Sequence, residues 1–108
     1  MKNQKIIHKI INYIDSILKY TKDVNYNEFE NNSMMVEACV FNLSQIGELV
    51  CKLDEEYIAS YSEIPWFKIR GLRNRIVHDY EGVNLNLIWE IISMDIKSLK
   101  DQLLMLLE

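Results

Sequence analysis

The stretch from Arg73 to Tyr80, with the sequence RNRIVHDY, gathers the side chains of this chain that are best suited to chemistry. Arg73 carries a planar fork of donors that fits a phosphate, and His78 can give and take a proton near neutral pH. Cleavage of a phosphodiester by a 2'-hydroxyl needs a base, an acid for the leaving oxygen and positive charge on the phosphorane, but no metal. These two residues therefore predict an RNA-cleaving site.

The spacing of Arg73 and His78 raises a geometric problem. Five residues at about 100° each leave the two side chains roughly 140° apart on a regular helix. Either the helix is distorted near His78, or the site is assembled from two copies of the motif across a twofold axis. The second arrangement explains more, because it supplies two histidines as base and acid and arginines from both chains as a phosphate clamp. We therefore expect a homodimer.

Two further residues of the motif can take part. Asn74 and His78 are four residues apart and share a helix face, so Asn74 can orient the imidazole or donate to the phosphate. Tyr80 lies seven residues after Arg73, and on a continued helix its phenol would lie at the mouth of the same site. The neighbouring Arg75 is expected to be a solvated position on the same helix.

Two acidic residues are candidates for supporting the site. Asp79 flanks the histidine, and Glu48 either orients a motif arginine across the bundle or holds a charge at the surface. The net charge of -4 argues against broad polyanion binding. A small phosphate site is still predicted, because no acidic residue lies between positions 66 and 78 to offset a local group of basic residues. That group is Lys68, Arg70, Arg73 and Arg75.

The elements that must position these residues are predicted to be helices. Three glycines, one proline and no β-branched runs flanking a turn give little support to a sheet. We expect one domain over residues 1–108, an all-α antiparallel bundle of about four to five helices. The predicted segments are Asn3–Tyr20, a short one capped by Asn25 and Glu28, Met34–Leu53, a short one capped by Asp54, Trp66 to about Asp79, and a last helix from Asn84 or Asn86 nearly to Glu108.

Apolar spacing predicts which residues form the core. The stripe on the long second helix is Val36, Cys39, Leu43, Ile46, Val50 and Leu53. The last helix carries a wider apolar face, which is consistent with a partner helix on both sides. Three aromatic residues, Trp66, Phe67 and Trp89, are expected in the core rather than as stacking platforms for bases. Cys39 and Cys51 lie about 18 Å apart along one helix, so they are expected to be buried, unbridged thiols.

Several classes of function are excluded by composition. The two cysteines and two histidines, His8 and His78, show no ligand spacing typical of zinc, so no metal is expected, and three scattered glycines build no phosphate-cradling loop for a cofactor. The longest apolar run, Leu103 to Leu107, is far short of the roughly 20 residues of a membrane span. With no signal-peptide core either, the chain is expected to be soluble and cytoplasmic.

The arrangement Arg73-Asn74-x-x-x-His78-x-Tyr80 resembles the Arg-x4-6-His motif of the HEPN superfamily, in the Arg-x4-His-x-Tyr form that marks the HepT toxins. The resemblance extends to Ile46-Gly47-Glu48 in the long second helix, to the segment leading from Pro65 into the motif, and to Trp89 after it. It implies a homodimeric antiparallel helical bundle and a metal-independent ribonuclease toxin acting on RNA.

The same resemblance implies a regulatory partner. In this family an MntA-like antitoxin, a minimal nucleotidyltransferase, transfers adenylyl groups to the motif tyrosine, here Tyr80, and blocks the RNA site. Two other interpretations remain open from the residues alone. The chain could be a non-catalytic module that binds a nucleotide or docks a nucleotidyltransferase, or it could be a purely structural bundle, in which changes to the motif would have no effect.

Overall fold

A computed structural model describes residues 2–72 and 84–107 of the chain. Every regular element in these two ranges is helical, which confirms the all-α prediction. The elements are α1 (Lys2–Tyr20), α2 (Tyr26–Glu30), α3 (Ser33–Val50), α4 (Glu55–Ser60), α5 (Trp66–Arg70), α6 (Leu85–Glu90), a π-helical turn (Ile91–Asp95) and α7 (Ile96–Met105). None of the described helices is long and apolar enough to cross a membrane.

The contact between α1 and α3 is the largest in the described fold. Four isoleucines of α1, at positions 7, 10, 14 and 17, have no exposed surface, and the whole predicted stripe of α3 is buried against them and their neighbours. Burying a side chain of this size contributes about 1.5–3 kcal/mol. The two helices run antiparallel, since the first residues of α1 contact Asp54, just beyond the end of α3.

Two of the predicted helix caps are confirmed. The side chain of Asn25 accepts from the backbone N–H of Glu28, whose carboxylate accepts from the backbone N–H of Asn25, so the capping box before α2 is complete. Asn84, rather than Asn86, caps α6 by accepting from the backbone N–H of Leu87. These bonds satisfy donors that the first turn of a helix leaves unpaired.

The prediction that the side chain of Asp54 caps a short helix is wrong. Asp54 does precede α4, but its side chain makes no capping hydrogen bond. Its carboxylate instead accepts from Lys2 Nζ at 3.0 Å and from Asn3 Nδ2 at 3.1 Å, and its backbone N–H donates to Asn3 Oδ1. Asp54 therefore joins the start of α1 to the turn after α3.

The last helix is continuous but contains a π-helical turn. The backbone stays helical from Glu90 through Ile96, so α6, the π turn and α7 form one rod. Ile88, Ile92 and Ile96 are all fully buried although they are spaced by four residues each time. On a regular α-helix two steps of four residues rotate a stripe by about 80°, and the wider π turn reduces this rotation.

Of the three aromatic residues predicted to lie in the core, two pack there and one does not. Trp66 is buried and its indole N–H donates to the carbonyl of Tyr61, and the Trp89 ring packs 4.9 Å from that of Phe29, as expected. Phe67, in contrast, is 89% exposed, because its neighbours Trp66 and Ile69 occupy the inward face of the short α5. Five residues cannot turn all their apolar side chains to one side.

The two cysteines differ in environment. Cys39 lies inside the α1–α3 contact, and burial raises the pKa of its thiol to about 11. Cys51, the C-cap residue of α3, is exposed, because it lies outside the apolar stripe that ends in Val50 and Leu53. The expectation of two buried thiols is therefore wrong for Cys51.

The Asp54 contact with α1 should make stability depend on pH. The hydrogen bond from Lys2, followed by that from Asn3, lowers the pKa of Asp54 below its ordinary value. A depressed folded-state pKa means that the contribution is present above the unfolded-state pKa of about 4 and is lost as pH falls through the folded-state pKa. Asp54→Asn should therefore be less stable in urea than the natural chain at pH 7 and equally stable in strong acid. A constant difference across this range would contradict the assignment.

Candidate functional site

The motif predicted from the sequence falls outside the described residues. This applies to Arg73, Asn74, Arg75, His78, Asp79 and Tyr80, which lie within positions 73–83. The structure does describe both ends of that segment. Leu72, immediately before it, is buried in the core, and Asn84, immediately after it, caps α6. The motif is therefore joined at both ends to ordered helical elements of the bundle.

Glu48 is the described member of the predicted site. It lies in the last turn of α3, half-buried, next to the buried Gly47. α3 packs against α5, the helix that leads through Leu72 into the motif. Glu48 is therefore carried by a helix that packs directly against the element entering the motif, as a residue that orients a motif side chain would need to be.

The local group of basic residues is partly neutralised by tertiary contacts. The Nη2 atom of Arg70 donates to Glu55 Oε1 at 2.6 Å, and Lys68 Nζ lies 3.8 Å from Asp95 Oδ2. The acidic partners come from α4 and from the π turn, which are distant in sequence. The sequence between positions 66 and 78 contains no acidic residue, but Lys68 and Arg70 pair with carboxylates from elements outside that range.

The Lys68–Asp95 pair borders a cavity of about 180 Å³ between α5 and the last helix. Its wall includes Leu72, the residue that enters the motif, together with Ile69 and Ile91. π turns are frequent at functional sites, and this one supplies Asp95 to the cavity. Sequence reasoning missed Asp95. The only signal for it was the spacing of four between the isoleucines around the turn.

The tyrosines outside the motif differ in reactivity. The hydroxyl of Tyr57 is buried and has no hydrogen-bond partner among the described residues, and burial, reinforced by the neighbouring Tyr61, raises its pKa. A buried hydroxyl with a raised pKa is a poor nucleophile. Tyr20, at the end of α1, is 44% exposed. Of Tyr57, Tyr61 and Tyr20, Tyr20 is therefore the best control residue for a modification proposed at Tyr80.

The other titratable groups add no further centre. His8 is exposed on α1. Within residues 2–72 and 84–107, no group of three or more His, Cys, Asp or Glu side chains is arranged to hold a metal ion.

The comparisons with known proteins agree on one family. A family model described as "Ribonuclease HepT-like" matches residues 10–106. "Putative RNase MJ1380" of Methanocaldococcus jannaschii is 31% identical over 96 residues, which cover 89% of this chain and 88% of that protein. "Probable ribonuclease HepT" of Thermococcus cleftensis is 27% identical over 94 residues, covering 87% and 86%. No solved structure gives a significant match.

The ion pairs of Lys68 and Arg70 should reduce the affinity for RNA. The double variant Glu55→Gln, Asp95→Asn frees both cations, so it should bind a short single-stranded RNA more tightly. The dependence of log K on log salt should steepen by about 1.4, since each phosphate contact to a single strand contributes about 0.7. Fluorescence anisotropy across a salt series measures both effects.

The matched control for this measurement is Glu30→Gln, Asp101→Asn. It makes the same change in net charge at exposed positions of α2 and α7. Equal affinity gains in the two double variants would show that only net charge matters, and would contradict a specific neutralisation of Lys68 and Arg70.

Proposed function

Since the chain belongs to the HepT-like ribonuclease family, we propose that it is a metal-independent endoribonuclease and the toxin of a toxin–antitoxin pair. The observation that carries this proposal is the family match over residues 10–106, which includes the whole Arg73–Tyr80 motif. Both relatives described above carry the name of a ribonuclease, which supports RNA as the substrate. Such a toxin would act in the cytoplasm, where its RNA is found.

The proposed reaction needs only the side chains of the motif. One His78 removes the proton of the ribose 2'-hydroxyl, whose oxygen attacks the adjacent phosphorus and forms a phosphorane. Arg73 stabilises the added negative charge, and Asn74 orients the imidazole or donates to a phosphate oxygen. A protonated His78 then gives a proton to the departing 5'-oxygen. The products are a 2',3'-cyclic phosphate and a 5'-hydroxyl.

Glu48 and Asp79 are proposed as positioning residues for this site. Glu48 is supported by its half-buried place on α3, the helix that packs against α5. A carboxylate there would fix the fork of a motif arginine, because two parallel hydrogen bonds define its orientation. Asp79 is supported only by its position next to His78 in the sequence.

The site is proposed to be completed by a second copy of the chain. Arg73 and His78 point in different directions on a regular helix, and a twofold axis would bring an arginine of one protomer to the histidine of its partner. The described structure supports this with exposed apolar residues on the relevant elements. Phe67 precedes Lys68 on α5, and Met94, 65% exposed, precedes its ion-pair partner Asp95. A second copy of the chain packed against these elements would bury both side chains.

The dimer proposal predicts a dependence on Met94. Met94→Glu would place a charge in the proposed interface, so this variant should sediment as a monomer at micromolar concentration, while the natural chain sediments as a dimer. Met34→Glu is the matched control. Met34 is 80% exposed in the first turn of α3, and it belongs to neither of the two elements, α5 and the last helix, that carry the proposed interface. A natural chain that sediments as a monomer would remove the composite site.

The catalytic proposal predicts that His78→Ala and Arg73→Ala lose RNA cleavage. Proton transfer by a positioned side chain typically contributes about 10²–10⁴ in rate, so His78→Ala should lose a factor in this range. Arg73→Ala should lower kcat more than affinity, since its charge matters most as the phosphorane forms. Cleavage by the natural chain should survive EDTA and leave 2',3'-cyclic phosphate ends.

The matched control for Arg73→Ala is Arg75→Ala, which removes the same charge two residues away and should retain most of the activity. Growth on induced expression gives a second measurement, in which the natural chain should be toxic and His78→Ala harmless. Cleavage that EDTA abolishes, or equal losses in the two arginine variants, would argue against this mechanism. Full toxicity of a folded His78→Ala chain would favour the non-catalytic binding module.

Tyr80 is proposed as the residue through which the toxin is neutralised. An MntA-like nucleotidyltransferase antitoxin would bind ATP, the Tyr80 oxygen would attack the α-phosphorus, and pyrophosphate would leave. The attached AMP brings negative charge and bulk into the space that an RNA phosphate must occupy. It would therefore repel the substrate electrostatically and exclude it sterically.

The Tyr80 proposal predicts that Tyr80→Phe retains much of the RNA cleavage but escapes inactivation by the nucleotidyltransferase and ATP. Mass spectrometry should find an added adenylyl group on Tyr80 of the natural chain and none on the variant. Tyr20→Phe is the control, since Tyr20 is an exposed tyrosine outside the motif. Modification at Tyr20 or Tyr61 with Tyr80 untouched would overturn the assignment.

A further inference from the structure

A polar groove of about 630 Å³ lies between α1 and α3, on a part of the bundle that the motif does not explain. α1 contributes one helix face to it, including Lys9, Asn12 and Ser16. α3 contributes Asn42 and Gln45, and Lys52, two residues beyond the end of α3, also lines the groove. This volume is within the range of about 300–1,000 Å³ that is typical of ligand sites. The groove is therefore large enough to take more than water.

Two lysines lie at the same end of this groove. α1 and α3 are antiparallel, so Lys9, in an early turn of α1, is close to the end that carries Lys52. No carboxylate is found among the described lining residues, and neither lysine has a described ion-pair partner. Other lysines, such as Lys2 and Lys100, do form described ion pairs. In a chain of net charge -4, the lining of this end of the groove is therefore locally basic.

The centre of the groove contains side-chain amides, of which Asn42 is the most unusual. Asn42 is only 6% exposed and is the buried polar side chain of the described core. Its Nδ2 donates to the carbonyl of Ala38 at 2.7 Å, and the amide also lines the groove. An apolar side chain would avoid the cost of burying an amide at this position. Asn42 therefore places an amide, rather than an apolar side chain, in the wall of the groove.

Aromatic side chains mark the other end of the groove. Tyr20, in the last turn of α1, lines this end, and Tyr13 lines the middle of the groove. Aromatic rings stack on bases of any identity, and lysines contact the backbone that connects them. A cationic end, a row of amides and an aromatic end together match a few nucleotides of a flexible strand.

We propose that the α1–α3 groove binds single-stranded RNA, with a phosphate held by Lys9 and Lys52 and a base stacked at the tyrosine end. This inference rests on the proposed function, because it assigns the groove to the RNA that the motif would cleave. The groove then holds a part of the substrate away from the scissile bond. It would raise affinity for long substrates without taking part in the reaction.

The test is RNA binding by two double variants made in a His78→Ala chain, so that the RNA stays intact. Lys9→Glu, Lys52→Glu reverses both groove charges, whereas Lys22→Glu, Lys97→Glu makes the same charge change at exposed positions outside the groove. The groove variant should bind a fluorescent single-stranded RNA at least about tenfold more weakly than the control variant. Its salt dependence should be shallower by about 0.7, since the contact with one phosphate is lost.

A third variant tests the amide row, because Asn42→Leu keeps the branched shape and the number of heavy atoms of the side chain and removes its polar atoms. It should weaken RNA binding while raising or preserving the free energy of unfolding. Equal losses in the two lysine variants, or no loss in the groove variant, would overturn the proposal. So would AMP that binds through Lys9 and Lys52 while RNA binding stays unchanged, since the groove would then be a mononucleotide site.

Cleavage measurements separate this inference from the proposed function. With the natural His78 present, the groove variant should cleave a dinucleotide at the normal rate and a long RNA more slowly at low concentration. A chain that binds RNA in the groove but cleaves none would overturn the proposed function and leave the groove assignment in place. A chain that cleaves RNA of every length equally well without Lys9 and Lys52 would overturn the groove assignment alone.

Discussion

The packing of α1 against α3 is the constraint on which the described structure depends. Fully buried isoleucines of α1 meet an equally buried stripe of α3, and each such side chain contributes about 1.5–3 kcal/mol. The ion pairs around this core, such as Lys100 with Asp15 at 2.7 Å, are partly exposed and contribute less than about 1 kcal/mol each. Hydrophobic burial therefore contributes most of the free energy that fixes the arrangement of the helices, and the ion pairs make a smaller contribution.

The same helix pair also creates the polar groove. Residues of α1 that point inward fill the core, while those one step around the helix, such as Asn12 and Ser16, face the equivalent polar positions of α3. A ligand site on this surface therefore needs no separate element. The groove forms because the two helices are amphipathic and antiparallel. Asn42 is the buried polar residue between them.

The charge distribution illustrates why local sequence is a poor guide to electrostatics. In the sequence, Lys68 and Arg70 belong to a basic stretch that contains no acid. In the fold, Glu55 and Asp95 neutralise them from other elements. Fewer unpaired cations are then left beside the motif than the sequence suggests, which makes the individual role of Arg73 in the proposed site more important.

Sequence alone determined the helical class, the limits of α1, the stripe of α3 and the caps at Asn25 and Asn84. All of these follow from local periodicity and from hydrogen bonds between residues a few positions apart. It also identified the motif residues, whose arrangement lies outside the described part of the chain. Only the tertiary structure showed that Phe67 and Cys51 are exposed, that Asp54 binds the start of α1, and that Lys9 and Lys52 share a groove. Each of these depends on which distant element lies alongside a residue, and that is settled by the packing of the helices rather than by the local order of side chains.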